Sequence, residues 1–208
     1  MLSLYNEKNA LKNLKNKTFL VDKTNNQVRI IGGNFRGQKI TFSNNQGLRP
    51  TGSRIKETLF NWLALSILDS NCLDLFAGSG SLGIESISRG AKSVTMIEKN
   101  RSAFAAIKNS CSRLGIKDVS LVETDSMGWL THKNNLKSFD VVFLDPPFDS
   151  DLISSCCELL EKNLFLAKSA YIYIETTRNH PILSVPDNWK LLREKNTGQV
   201  AYRLYMRN

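Results

Sequence analysis

The residues with the clearest chemical implication are Asp145-Pro146-Pro147-Phe148, which follow directly on the apolar run Phe139-Asp140-Val141-Val142-Phe143-Leu144. Such a run reads as a buried strand. Two prolines at its end remove two N–H donors and force extended geometry on Asp145 and Pro146. The Pro146 carbonyl therefore stays out of any helix and can face a ligand. The Asp145 carboxylate supplies a second acceptor beside it. Two converging acceptors suit an amino group, which carries two donors. Phe148 adds a flat face for stacking an aromatic base. The nitrogen of such a base is a poor nucleophile, because its lone pair is delocalised into the ring. Holding both hydrogens toward Asp145 and Pro146 favours a pyramidal nitrogen with its lone pair directed outward. A carboxylate stabilises the positive charge that develops there, and in-line positioning supplies much of the remaining rate. Asp145, Pro146, Pro147 and Phe148 are thus the candidate catalytic residues. The plainer alternative is a turn whose prolines only stop the strand.

A second group lies upstream. Asp74-Leu75-Phe76-Ala77-Gly78-Ser79-Gly80-Ser81-Leu82-Gly83 follows an earlier strand and opens a helix. Small residues let the backbone approach a ligand, and a helix N-terminus offers free N–H groups. Gly78, Gly80 and Gly83 satisfy G-x-G-x-x-G. Glu98 ends the next strand, where a carboxylate can accept from ribose hydroxyls. These features serve a dinucleotide or an adenosyl cofactor equally. Asp74 begins to separate the two. A carboxylate there suits a ligand bearing an ammonium and a sulfonium, and would repel a pyrophosphate. Asp125 follows the third strand and can accept from an adenine amino group or, as readily, cap the helix after it. The candidate cofactor is S-adenosyl-L-methionine, on Asp74, Phe76, Gly78, Gly80, Glu98 and Asp125.

The elements that must position these groups alternate. Short apolar runs at Cys72–Phe76, Ser93–Ile97, Val119–Val122, Val141–Leu144 and Tyr171–Ile174 are separated by helical stretches at about 82–89, 100–114 and 152–164. That order predicts a parallel sheet covered on both faces. Lys190–Lys195 and Val200–Met206, joined by Asn196-Thr197-Gly198, predict an antiparallel pair at the end. Upstream, Val28-Arg29-Ile30-Ile31 and Lys39-Ile40-Thr41-Phe42 flank Gly32-Gly33 and read as a hairpin. Ser53 is placed to cap a helix carrying Ile55, Leu59, Trp62, Leu63 and Ile67. Residues 1–26 form a basic extension, 27–52 the hairpin and its loop, and 53–208 the α/β domain.

The 208 residues carry 28 Lys and Arg against 19 Asp and Glu, a net charge of +9. That excess fits a polyanionic partner or a solvated basic surface. Cys72, Cys111, Cys156 and Cys157 form no C-x-x-C pair and read as small buried apolar residues, so no metal site is expected. No signal peptide or long apolar run is visible, so a reduced, cytoplasmic chain without a membrane segment is expected.

Residues 28 to about 206 resemble the RsmD-type small-subunit rRNA guanine-N2 methyltransferases. The resemblance rests on Arg29-Ile30-Ile31-Gly32-Gly33, Arg36-Gly37, Leu48-Arg49-Pro50-Thr51, Arg54, Glu57-Thr58-Leu59-Phe60-Asn61-Trp62-Leu63, the glycine loop, Glu98 and Asp145-Pro146-Pro147-Phe148. It implies a class I S-adenosylmethionine-dependent methyltransferase fold, Rossmann-like, with a seven-stranded sheet and an N-terminal β-hairpin. It implies N2 methylation of one guanine of 16S rRNA, in the assembled or nearly assembled small ribosomal subunit; separately, a monomer is expected. Carried across, Asp74, Gly78 and Gly80 line the methionine end of the cofactor, Glu98 the ribose and Asp125 the adenine. Asp145, Pro146 and Phe148 hold the guanine, and Arg29, Arg36, Lys39, Arg49, Arg54 and Lys56 grip phosphates. The D-P-P-F motif is also similar to that of adenine-N6 DNA methyltransferases and of release-factor glutamine methyltransferases. A nicotinamide-dependent dehydrogenase would leave Asp145–Phe148 without a role. A non-catalytic RNA-binding assembly factor on the same fold is the third rival.

Overall fold

The computed structural model describes residues 26–42, 51–132, 138–147, 152–180 and 183–208. Residues 1–25 of the basic extension, Arg49 with the rest of Leu48-Arg49-Pro50, and Phe148 lie outside them.

Strands β1 (Asn26–Arg29) and β2 (Lys39–Phe42) pair antiparallel, with buried Val28 opposite buried Ile40. Helix α1 (Ser53–Trp62) follows. Its cap is Gly52 and not Ser53, which is the first helical residue; the N–H groups of Ile55 and Lys56 donate to the Gly52 carbonyl. The second sheet holds β3 (Asn71–Asp74), β4 (Ser93–Glu98), β5 (Val119–Glu123), β6 (Phe139–Leu144), β7 (Leu166–Thr177), β8 (Trp189–Thr197) and β9 (Val200–Arg207). Its order is β5-β4-β3-β6-β7-β9-β8, parallel except where β9 runs against β7 and β8. Between the strands lie α2 (Ser81–Ser88), α3 (Arg101–Leu114), α4 (Ser126–Leu130) and α5 (Leu152–Lys162). Strand β7 begins earlier than its apolar run suggested. Leu166 pairs with Phe139 and Tyr171 with Val141, so the polar stretch between them bulges, with Ser169 at φ 64°.

Alternation along the central strands sorts the core into two layers. Cys72, Val141, Phe143 and Tyr173 face α1, α2, α3 and the hairpin. Leu73, Val142, Leu144, Ile172 and Ile174 face α4 and α5. The same alternation sends Asp74 and, past the end of β6, Asp145 toward the first layer. All four cysteines are free and buried, as a strand or helix core position requires.

The hairpin is fastened to α2 through one carboxylate. Glu85 is fully buried, accepting from the N–H groups of Ile31 at 3.0 Å and Gly32 at 2.8 Å. Arg89 Nε lies 3.0 Å and Lys56 Nζ 3.5 Å from the same carboxylate. Lys56 Nζ also donates to the Arg29 carbonyl at 2.8 Å. The next turn of α2 repeats the grip. Ser88 donates its hydroxyl to the Gly32 carbonyl and accepts from the Phe35 N–H, and its carbonyl accepts from the Asn34 N–H. Gly33 must be glycine here. Its φ is +74°, and a Cβ would lie 1.7 Å from the Ser88 carbonyl oxygen. The glycines read as turn residues therefore let two elements touch.

Candidate active site

Strand order reverses between β3 and β6. The chain runs from β3 outward through β4 and β5 on one side, and through β6 and β7 on the other. A crevice opens at the carboxyl ends of strands flanking such a switch point. Asp74 ends β3 and Asp145 directly follows β6. Glu98 closes β4, and Asp125 follows β5. The acids singled out from the sequence thus stand along one sheet edge.

Asp74 is 1% exposed. Its Oδ2 accepts from the Gly83 N–H at 3.1 Å, while Oδ1 has no hydrogen-bond partner among the described residues. Burial pushes its carboxyl up to about 7, and the like charge of Asp145 adds to the shift. Asp145 is half-buried and also raised by burial; the Thr51 hydroxyl opposes this, donating to Oδ2 at 3.1 Å. Pro146 is buried and Pro147 exposed. Both line a small cavity with Ile153, Glu175, Thr176, Thr177 and His180.

The glycine loop shows why each glycine is there. Gly78 has φ 55° and Gly80 φ 75°, backbone that side chains rarely adopt. Gly80 caps α2. A Cβ on Gly83 would lie 2.4 Å from the Met96 sulfur, so this glycine lets α2 press onto β4. Phe76 is half-exposed beside the loop. Glu98 braces the loop from the neighbouring strand. It accepts from the Gly78 N–H at 2.8 Å and the Asn100 N–H at 2.6 Å. Each oxygen keeps a lone pair for a further donor. Asp125 is exposed and caps α4, accepting from the Gly128 N–H at 3.0 Å. The capping alternative therefore holds, and its other oxygen can still meet a ligand. Ser126, which sequence reasoning missed, donates to the Leu75 carbonyl and ties α4 to the loop.

Of the basic residues, Arg29, Arg36, Lys39 and Arg54 are exposed. Lys56 is corrected. It is fully buried between Glu85 and the Arg29 carbonyl, where no phosphate reaches it. Its place in a basic run suggested a surface residue. Its helical position beside Ile55, Leu59 and Phe60, all buried, was the available signal.

A family model described as Conserved hypothetical protein 95 matches residues 28–206. Ribosomal RNA small subunit methyltransferase D of Haemophilus influenzae is 47% identical over 181 residues, covering 86% of this chain and 93% of that protein. The chain belongs to the methyltransferase D family. A solved Escherichia coli structure superposes on this family member with TM-score 0.82 at 43% identity, covering 88% of this chain and 98% of that one. A Streptococcus mutans chain described as a SAM-dependent methyltransferase gives TM-score 0.65 at 14% identity, over 82% of this chain and 53% of its own. That likeness concerns the fold alone. The methyltransferase D family member thus has the class I methyltransferase fold, with its hairpin as a separate small sheet.

Proposed function

We propose that this chain transfers a methyl group from S-adenosyl-L-methionine to N2 of one guanine of 16S rRNA within the small ribosomal subunit. The observation that carries the reading is the approach of Asp74 and Asp145 across the switch point, with Asp74 Oδ1 buried and lacking a hydrogen-bond partner among the described residues. A buried carboxylate oxygen without a donor is costly. The α-ammonium of a methionine moiety supplies the missing donor and charge, so the residues present fit the cofactor. When bound, that cofactor contributes an electrophilic methyl group on a sulfonium.

The chain's own residues do the rest. Gly78 and Gly80 supply the positive-φ turn at the mouth of α2 that presents the loop backbone to a ligand. Glu98 has lone pairs for ribose hydroxyls, and Asp125 an oxygen for the adenine. Asp145 Oδ1 and the Pro146 carbonyl accept the two N–H groups of the target amine, and Asp145 stabilises the charge developing on nitrogen. Phe148 is assigned the stacking face. Exposed Arg29, Arg36, Lys39 and Arg54, with Arg49, hold phosphates while the base is out of its stack. Amino-group chemistry alone suits guanine N2 and adenine N6 alike. The small-subunit relatives favour an rRNA target, and the resemblance carried by the hairpin and the Leu48-Arg49-Pro50-Thr51 segment favours guanine. No helix among the described residues is long and apolar enough to cross a membrane. Action as a monomer in the cytoplasm is part of the same proposal.

Mass spectrometry of 16S rRNA from a strain lacking this chain tests the target. One N2-methylguanine is expected to disappear and to return on complementation. An unchanged nucleoside pattern would sink the rRNA assignment.

The Asp74 carboxyl, raised to about 7, tests the cofactor site. A carboxylate whose folded-state pKa is raised costs stability above that pKa. The cost fades as pH falls through it toward the unfolded value. An ammonium ligand offsets the cost only while Asp74 is ionised. Affinity for S-adenosylmethionine, measured by calorimetry, should therefore fall about tenfold between pH 8 and pH 6. Asp74→Asn should bind weakly at pH 8 with little pH dependence, and its ligand-free form should melt higher than the parent. Affinity flat across that range in the parent would remove Asp74 from the site.

A further inference from the structure

The R-P-T segment, assigned to RNA through Arg49, ends in a residue of a different kind. Thr51 is 5% exposed, too buried to touch RNA directly. It sits between the segment carrying Arg49 and the start of α1. Its hydroxyl donates to Asp145 Oδ2 at 3.1 Å, joining the N-terminal segment to the end of β6.

We propose that Thr51 is a positioning residue for methyl transfer: its hydroxyl holds the Asp145 carboxylate so that Oδ1 faces the amino group of the target base. This rests on the catalytic reading of Asp145 given above. A carboxylate on a two-torsion side chain can turn either oxygen, or neither, toward a substrate. A donor fixed on a separate element removes that freedom before substrate arrives. Thr51 is suited to the task because its own backbone is anchored. Gly52 follows it and caps α1, whose Lys56 is locked to Glu85 and the hairpin.

The hydroxyl has a second consequence. The groups facing Asp145 from the packed strands are Asp74 on β3 and Tyr173 on β7, and Asp145 is in electrostatic contact with both. Glu175, next on the same face of β7, accepts from the Tyr173 hydroxyl at 2.8 Å. Burial raises the Asp145 carboxyl, and the Thr51 hydroxyl works against it by stabilising the ionised form. The same hydrogen bond therefore orients Asp145 and keeps it charged.

The test compares Thr51→Val, which keeps the shape and loses the donor, with Thr51→Ser, which keeps the donor. With small-subunit particles as substrate, Thr51→Val should lower kcat by roughly tenfold or more, leaving affinity for S-adenosylmethionine within about threefold. The acid limb of its kcat/KM profile should move to higher pH. Thr51→Ser should stay within about threefold of the parent, with the parent's profile. If Thr51→Val fails to fold, as judged by melting and cofactor binding, Thr51→Ala takes its place with the same expectations. A hydroxyl-free variant with the parent's kcat and acid limb overturns the proposal. So does a serine variant as impaired as the hydroxyl-free one, because packing would then be the cause. Asp145→Ala run alongside separates the failures. If it is inactive while Thr51→Val is normal, the Thr51 proposal alone falls. If it is active, the catalytic reading falls and takes the Thr51 role with it.

Discussion

Asp145→Ala is expected to reduce methyl transfer by a factor of about 10² to 10³ or more, the cost of removing a preorganised group that meets developing charge. Affinity for S-adenosylmethionine should stay within a few-fold, because Asp74, the glycine loop and Glu98 are untouched. The protein should also remain folded. Asp145 is a half-buried like charge beside Asp74 and contributes to the raised Asp74 carboxyl. Its removal relieves that repulsion, which offsets the Thr51 hydrogen bond lost with it, so the melting temperature at pH 8 should hold. This combination of inactive, cofactor-competent and undiminished in stability is hard to produce by damage to the fold. Single-turnover rates with small-subunit particles, read beside a calorimetric titration, decide it. An alanine variant within threefold of the parent rate would remove Asp145 from the chemistry.

The second large effect concerns the fold. Glu85→Ala leaves the Lys56 ammonium buried without its partner and takes the acceptor from the N–H groups of Ile31 and Gly32. Burial already pulls the Lys56 amine below its ordinary value, and Glu85 is the group that opposes this. Breaking a buried pair by deleting one partner costs about 3–5 kcal/mol. A globular domain has only about 5–15 kcal/mol in total. For a chain of this size the loss corresponds to a fall in Tm of roughly 10 °C. The hairpin should loosen first, because its backbone hydrogen bonds to α2 are among those lost. Denaturant unfolding and hydrogen exchange at residues 28–40 read both effects. The double variant Glu85→Leu with Lys56→Met should recover the part of the loss due to the stranded ammonium, while the Ile31 and Gly32 N–H groups still lack their acceptor. A single variant within 1 kcal/mol of the parent would show that the pair does not fasten the hairpin.

Lys56 shows where reading along the chain breaks down. In sequence it is one cation among several upstream of the glycine loop. In space it is a fully buried tie between α1, α2 and the hairpin. Charge type says that a lysine avoids burial; only the arrival of Glu85 from another element makes burial affordable. Glu85 carried a faint signal, a carboxylate at the helical spacing of Leu82 and Arg89. Thr51 carried none, since a threonine before a helix has many uses. Its partner Asp145 lies far along the chain and meets it only through the sheet. Asp125 was legible as either cap or ligand contact, and the structure forms the cap.

The sequence by itself determined the alternation of strands and helices, the placement of Asp74, Glu98 and Asp145 at strand ends, and the need for glycine at Gly78 and Gly80. Each follows from local rules: side-chain periodicity, the steric freedom of glycine, and the backbone restriction imposed by proline. Only the tertiary structure decided which charges are buried together. It made Lys56 a structural lysine, left Asp74 Oδ1 without a donor among the described residues, and set the Thr51 hydroxyl on Asp145. Those outcomes depend on distances between residues remote in sequence and on the loss of water around them. The cost of burying a charge, and the group that offsets it, is a property of the packed site and not of any segment within it.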